Sequence, residues 1–320
     1  MEANHKQVVP MGLDLVTVGH VLCETIVFAD GRRDGPVLGS PAAYSATVAA
    51  RLGVRTGIVT KVGEDAPSGL LQPLKDADVD LRGIDFGSAV TTTNQLIYSP
   101  DGTKELKYLK QAGAITPGDI PHEFRQAPAF HICPLDYEVP LDTVLWIRKL
   151  DRITSVDLGG YGGAHVCRAT AAQKKFSLND LRTLISCFDI VKASDEDARL
   201  VFADDRLREE EVAQRFVDWG ARIGIVTMGS RGSLVFTREE RYCVPPIAGH
   251  VIDVTGGGDS YIAGFLAEYL RTINPWQSSI FASAVALCVI EKTGGVSASR
   301  MPSDEEARAR IPIGMVPQLV

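Results

Sequence analysis

Short runs of β-branched and other apolar residues recur along the chain, separated by stretches whose apolar positions repeat at helical spacing. Residues 13–21 (LDLVTVGHV) form the first such run, apolar on successive positions as in a strand buried on both faces. TGIVTKVG, FHICP, ITSVDLG, FDIVKAS, IGIVTMG and SLVFT follow it. Between them lie helical stretches: residues 41–53, opening on proline and closing at a C-cap glycine, then LDTVLWIRKL, DEDARLVF and EEVAQRFVDWGAR. Strands alternating with helices predict an α/β fold, a three-layer αβα sandwich with a mostly parallel central sheet. Two polar, β-prone hairpins do not suit the interior of such a sheet. One is ETIVFADGRRDGPVLGS; the other joins AVTTTNQLIYSP to GTKELKYLK around residues 100–102. They predict a small β-sheet lid, built from about residues 24–38 and 90–110. No repeat or polar linker divides the chain, so residues 12–320 read as one domain behind a loose tail at 1–11.

Composition narrows the function. With 320 residues, 45% hydrophobic and 23% charged, the chain has the make-up of a soluble globular protein. No run approaches the ~18 apolar residues that a membrane span requires, and the N-terminus has no apolar signal core. A cytoplasmic location is the resulting expectation. The net charge of −7 argues against a nucleic-acid or anionic-membrane partner. The six cysteines are scattered with no C-x-x-C pair, and no H-x-x-x-H pair occurs. Disulfides and a protein-ligated zinc are therefore not expected.

Residues 251–270 (VIDVTGGGDSYIAGFLAEYL) carry the most chemistry. A β-prone run enters three glycines, then Asp259, then a helix on which Phe265, Leu266, Tyr269 and Leu270 repeat at helical spacing. Glycines without Cβ atoms let a ligand approach the backbone N–H groups. At a helix N-terminus those donors and the dipole favour an anion. An N-cap and a tight turn would explain the same residues separately, but the full D-x-T-G-G-G-D string is more specific. It resembles the C-terminal signature of the ribokinase-like PfkB kinases, usually D-T-T-G-A-G-D. That resemblance implies Asp259 as the base that takes the acceptor hydroxyl's proton. Gly256, Gly257 and Gly258 would then stabilise charge on the transferring phosphoryl group. It also implies ATP and Mg²⁺, and a monovalent-cation site, K⁺ in many members, to which Asp253 and Thr255 would contribute.

The resemblance extends from about Leu13 to about Ile311. Glu24 stands where members commonly have an aspartate that binds substrate hydroxyls. Residues 39–53 (GSPAAYSATVAARLG) are similar to the N-terminal signature, so Gly39, Ser40 and Tyr44 are expected at the acceptor. Ser40 replaces the usual second glycine and Tyr44 the usual asparagine. Residues 191–198 (VKASDEDA) match the N-x-x-E region, with Ser194 and Asp197 in its two positions; Asp197 would hold Mg²⁺ through water. Thr227, Gly229 and Gly232 match the T-x-G-x-x-G element along the nucleotide, and Ala284 lies on the helix that packs the adenine. A homodimer through the lid is implied as well. Sugar, inositol-like polyol and nucleoside all fit as small-molecule acceptors.

Other enzyme classes find no support. The chain has no G-K-[ST], no H-R-D loop, and no G-x-G-x-x-G after the first strand; GGYGG at 159–163 has the wrong spacing. The remaining alternative is a catalytically silent, ligand-binding relative of the kinases. Retention of Asp259 weighs against it, because a pure binder needs no base.

Overall fold

Alternation along the central strands decides which of two cores each residue enters. In β1 (Leu15–Val18) all four residues are buried. Leu15 joins a cluster with Tyr44, Phe265 and Phe281, while Val16 and Val18 join one with Phe130 and Phe216. A period-2 strand between two helical layers requires this division. The computed structural model describes residues 12–98, 104–167, 176–315 and 318–319. The expected tail at 1–11 and the turn at 100–102 lie outside the described residues.

After β1 come β2 (Leu22–Val27), β3 (Arg33–Gly39), α1 (Pro41–Arg51), β4 (Thr56–Gly63), α2 (Gln72–Asp76) and β5 (Asp80–Ser88). Next are β6 (Thr93–Tyr98), β7 (Lys104–Lys110), β8 (Ala129–Ile132), α3 (Leu141–Arg148), β9 (Ile153–Asp157), α4 (Leu178–Ser186) and β10 (Ile190–Ser194). The chain closes with α5 (Asp195–Phe202), α6 (Glu209–Asp218), β11 (Ile223–Thr227), β12 (Ser233–Phe236), β13 (Arg241–Val244), α7 (Gly257–Thr272), α8 (Pro275–Ile290), α9 (Asp304–Arg308) and β14 (Gln318–Leu319).

The main sheet has ten strands in the order β14-β13-β12-β11-β10-β9-β8-β1-β4-β5. From β11 to β5 every neighbouring pair is parallel. The edge from β12 to β14 is antiparallel, which the sequence pattern did not show. A separate four-stranded sheet, β3-β2-β6-β7, comes from the two polar hairpins. The expected three-layer fold with a small added sheet is what the chain adopts. None of the described helices is long and apolar enough to cross a membrane.

Two features aim the functional end of the sheet. Strands β9, β10 and β11 finish side by side, so Asp157, Ser194 and Thr227 share one edge. Helix α7 is pressed against α8 through Gly264, where an added methyl would come within 2.9 Å of Val285 Cβ. A helical glycine costs about 1 kcal/mol relative to alanine; here it permits an approach that any side chain would block. That packing fixes where the head of α7 points.

Candidate active site

Residues 251–255 are β-prone, yet they form a loop rather than a strand. The N–H groups of Ile252 and Asp253 both donate to Ile290 O, at 2.8 and 3.0 Å, so the loop is pinned to the end of α8. Gly256 then caps α7 in the left-handed region, with φ 74°. Its missing side chain is a packing requirement as well, because a Cβ there would lie 2.3 Å from Tyr44 Cε1. Gly256→Ala therefore combines αL strain with a ring clash, and is expected to cost about 2–4 kcal/mol. The urea midpoint of the purified variant measures this; an unchanged midpoint would contradict the tight fit.

The N–H of Gly257 donates to Val254 O at 3.1 Å. The amides of Gly258 and Asp259 follow in the same first turn, where a helix has no intrahelical acceptor. Asp259 is only 8% exposed. Burial pushes its carboxyl up to about 6, and the negative charge of Asp157 adds to this, while His165 and Lys192 pull it down. A carboxylate so placed can hold or release a proton near neutral pH.

Lys192 is the residue that sequence reasoning missed. It faces Asp157 across the β9–β10 register, and the two form a buried ion pair of 2.7 Å. A methyl on Gly258 would come within 2.9 Å of Lys192 Nζ, so the ammonium lies directly under the first turn of α7. A lysine inside the apolar run FDIVKAS was its available signal: buried charges occur only when paired.

Ser194 and Asp197 form a capping box at the head of α5. Asp197 accepts from Ser194 Oγ at 2.6 Å and from Ala164 N at 2.9 Å. Burial works to raise its pKa, but Lys192, His165 and these hydrogen bonds prevail and hold it below the usual value. The glycine-rich GGYGG segment is folded against this carboxylate: a Cβ on Gly163 would sit 2.4 Å from Asp197 Oδ1. Asp157, Lys192, Asp197, His165 and Asp259 thus interact around one strand edge.

On the expected nucleotide side, Thr227 ends β11, and Gly229 and Gly232 have φ of 55° and 86° in the turn before β12. Ala284, expected beside the adenine, is fully buried on α8. On the expected acceptor side, Glu24 Oε2 accepts from Asn94 Nδ2 at 3.0 Å, and the Cβ position of Gly39 lies 3.7 Å from Glu24 Oε1. Asn94 is fully buried, and its Oδ1 has no partner among the described residues. Ser40 serves as the N-cap of α1, accepting from Ala43 N at 3.1 Å. Tyr44 is 3% exposed, with its ring against Gly256 and its hydroxyl accepting from Arg300 Nη1 at 2.7 Å. It supports the glycine turn and presents no face to a ligand, because α1 packs directly on α7.

Comparison with known proteins places the whole chain in a family. The pfkB family carbohydrate kinase profile covers residues 38–302. The chain is 33% identical over 266 residues to the cytidine kinase of Thermococcus kodakarensis, covering 81% of this chain and 89% of that one. It is 25% identical over 314 residues to the nucleoside kinase of Methanothermobacter thermautotrophicus, covering 93% and 95% of the two chains. The crystal structure of Methanocaldococcus jannaschii nucleoside kinase, described as an archaeal member of the ribokinase family, superposes with a TM-score of 0.73 at 22% identity, covering 94% of this chain and 99% of that one. With a family profile spanning most of its length, the chain belongs to the pfkB family of carbohydrate kinases and is a phosphotransferase with an alcohol group as acceptor.

Proposed function

We propose that the protein transfers the γ-phosphoryl group of ATP to a hydroxyl of a nucleoside, with Asp259 as the general base. The observation that carries this reading is a buried carboxylate with a raised pKa at the mouth of a glycine-led helix, with an ammonium beneath the same turn. The acceptor hydroxyl gives its proton to Asp259 as its oxygen bonds to the γ-phosphorus. The bond from that phosphorus to the β-bridging oxygen breaks, and ADP leaves. Lys192 and the amides of Gly258 and Asp259 face the charge that spreads over the transferring group.

No group of three metal-ligating side chains gathers among the described residues. Mg²⁺ would enter with the nucleotide's phosphates, and Asp197 is the carboxylate that would hold it through water. When bound, it would supply neutralisation of the negative charge on the phosphates. Glu24 and Asn94 supply a carboxylate and an amide at the root of the small sheet, suited to sugar hydroxyls. The nucleoside is preferred because a relative aligned over four-fifths of the chain is a cytidine kinase.

The test is transfer of labelled γ-phosphate from ATP·Mg²⁺ to cytidine, uridine, adenosine, guanosine, ribose, fructose and myo-inositol. A nucleoside is expected to give the highest kcat/KM and a nucleoside monophosphate as product. A free sugar or polyol leading by tenfold or more, about 1.4 kcal/mol of discrimination, would overturn the nucleoside assignment. Bound ATP with no transfer to any acceptor would instead support the silent ligand-binding reading.

A further inference from the structure

Beside the glycine turn, two loops aim their carbonyls at one point. Asp253 and Thr255 come from the loop before α7; Val289, Lys292 and Gly294 come from the end of α8 and the turn after it. At their centre is the guanidinium of Arg300, a residue only 2% exposed. Its Nε donates to Val289 O at 3.3 Å and Lys292 O at 3.2 Å. Nη1 donates to Gly294 O and to the Tyr44 hydroxyl. Nη2 donates to Thr255 O at 3.0 Å and Asp253 O at 3.4 Å, and lies 3.6 Å from Asp253 Oδ2. Five backbone carbonyls and a carboxylate thus surround one buried positive charge.

A ring of main-chain carbonyls is the surrounding in which a protein replaces the hydration shell of a monovalent cation. Asp253 and Thr255 are the two positions that the sequence resemblance assigns to such a site. Their carbonyls do not fit a free ion here, because a tethered cation already occupies the ring. We propose that Arg300 is a built-in replacement for the exchangeable monovalent cation, so that phosphoryl transfer proceeds without K⁺.

Arg300 acts as a positioning residue. Thr255, whose carbonyl it holds, immediately precedes Gly256, and Tyr44, whose hydroxyl it holds, packs its ring on Gly256. Both sides of the turn that presents Gly257, Gly258 and Asp259 are therefore fixed by one guanidinium. The backbone of Arg300 is itself held, its N–H donating to Ser297 O at 3.2 Å and its carbonyl accepting from Lys292 Nζ at 3.3 Å. A fork of five donors satisfies several carbonyls at once, which a lysine ammonium cannot match.

The experiment compares K⁺ with N-methylglucamine at one ionic strength, for the wild-type chain and for Arg300→Met. The wild type is expected to show the same kcat and the same thermal midpoint in both. Arg300→Met is expected to lose about 10²-fold in kcat without K⁺, the scale of a small misplacement of reacting groups. K⁺ should restore part of that loss and raise the variant's midpoint, effects that a merely structural arginine would not show. Wild-type activation by K⁺ of several-fold, or undiminished kcat of Arg300→Met in N-methylglucamine, would overturn the proposal. Should Arg300→Met fail to fold, Arg300→Lys with the same pair of salts decides: K⁺ should raise its kcat and midpoint, and insensitivity to K⁺ with reduced kcat would overturn the idea. The midpoint readout needs no acceptor, so it is separate from the nucleoside assignment.

Discussion

Asp259→Asn is expected to lower kcat by at least ~10²-fold while leaving ATP binding intact, the loss associated with removing a positioned general base. The same carboxyl should shape the pH profile. With its pKa raised to about 6, the wild-type kcat/KM should fall with unit slope below that value, since only the deprotonated form can accept the hydroxyl proton. At pH 5 about a tenth of the molecules would carry the active form. The stability consequence has the opposite sign. A carboxyl raised from 3.8 to about 6 favours the folded state below pH 3.8, and that contribution is lost as pH rises through 6. The ionised carboxylate then destabilises the fold by about 3 kcal/mol at pH 8, from ~1.4 kcal/mol per unit. Asn at this position removes that charge, so the inactive variant should have the higher urea midpoint at pH 8 and lose its advantage near pH 4. Near-normal turnover of Asp259→Asn would remove the assigned role outright.

Much of this could be read before any coordinates. The apolar runs that became β1, β4 and β8 to β11 are continuous because both faces of a parallel sheet are covered. The two polar hairpins stood out for the opposite reason. The glycine string was legible because it needs a special backbone: Gly256 cannot be replaced at φ 74° against the Tyr44 ring. Other residues carried no such mark. Arg300 bonds almost entirely to main-chain carbonyls, which leave no trace in the identities of their residues. Tyr44 occupies a position expected to touch the acceptor, but the packing of α1 on α7 turns it toward Gly256 and Arg300. Ala284 suited an adenine by size alone, and size does not show that the position is fully buried. Lys192 lay between these cases. Its charge inside an apolar strand was conspicuous, but the partner that accounts for it sits on another strand.

Lys192→Met should do more damage than any other single change at this strand edge. The pair with Asp157 is almost wholly buried, and removing one member leaves the other as an uncompensated charge, a loss of about 3–5 kcal/mol. Lys192 also draws the pKa of Asp259 downward, so without it the acid limb of kcat/KM should move to higher pH. The double variant Lys192→Met with Asp157→Asn separates the two effects. Neutralising both partners should return much of the urea midpoint, because no charge is left buried alone. It should not return turnover, since the ammonium beneath Gly258 would still be missing where charge develops; loss of one such group costs about 10²–10³-fold. If the double variant recovered kcat along with stability, Lys192 would be only a structural counter-ion to Asp157. If it recovered stability alone, the strand lysine would belong, with Asp259, to the group of residues that carries out the transfer.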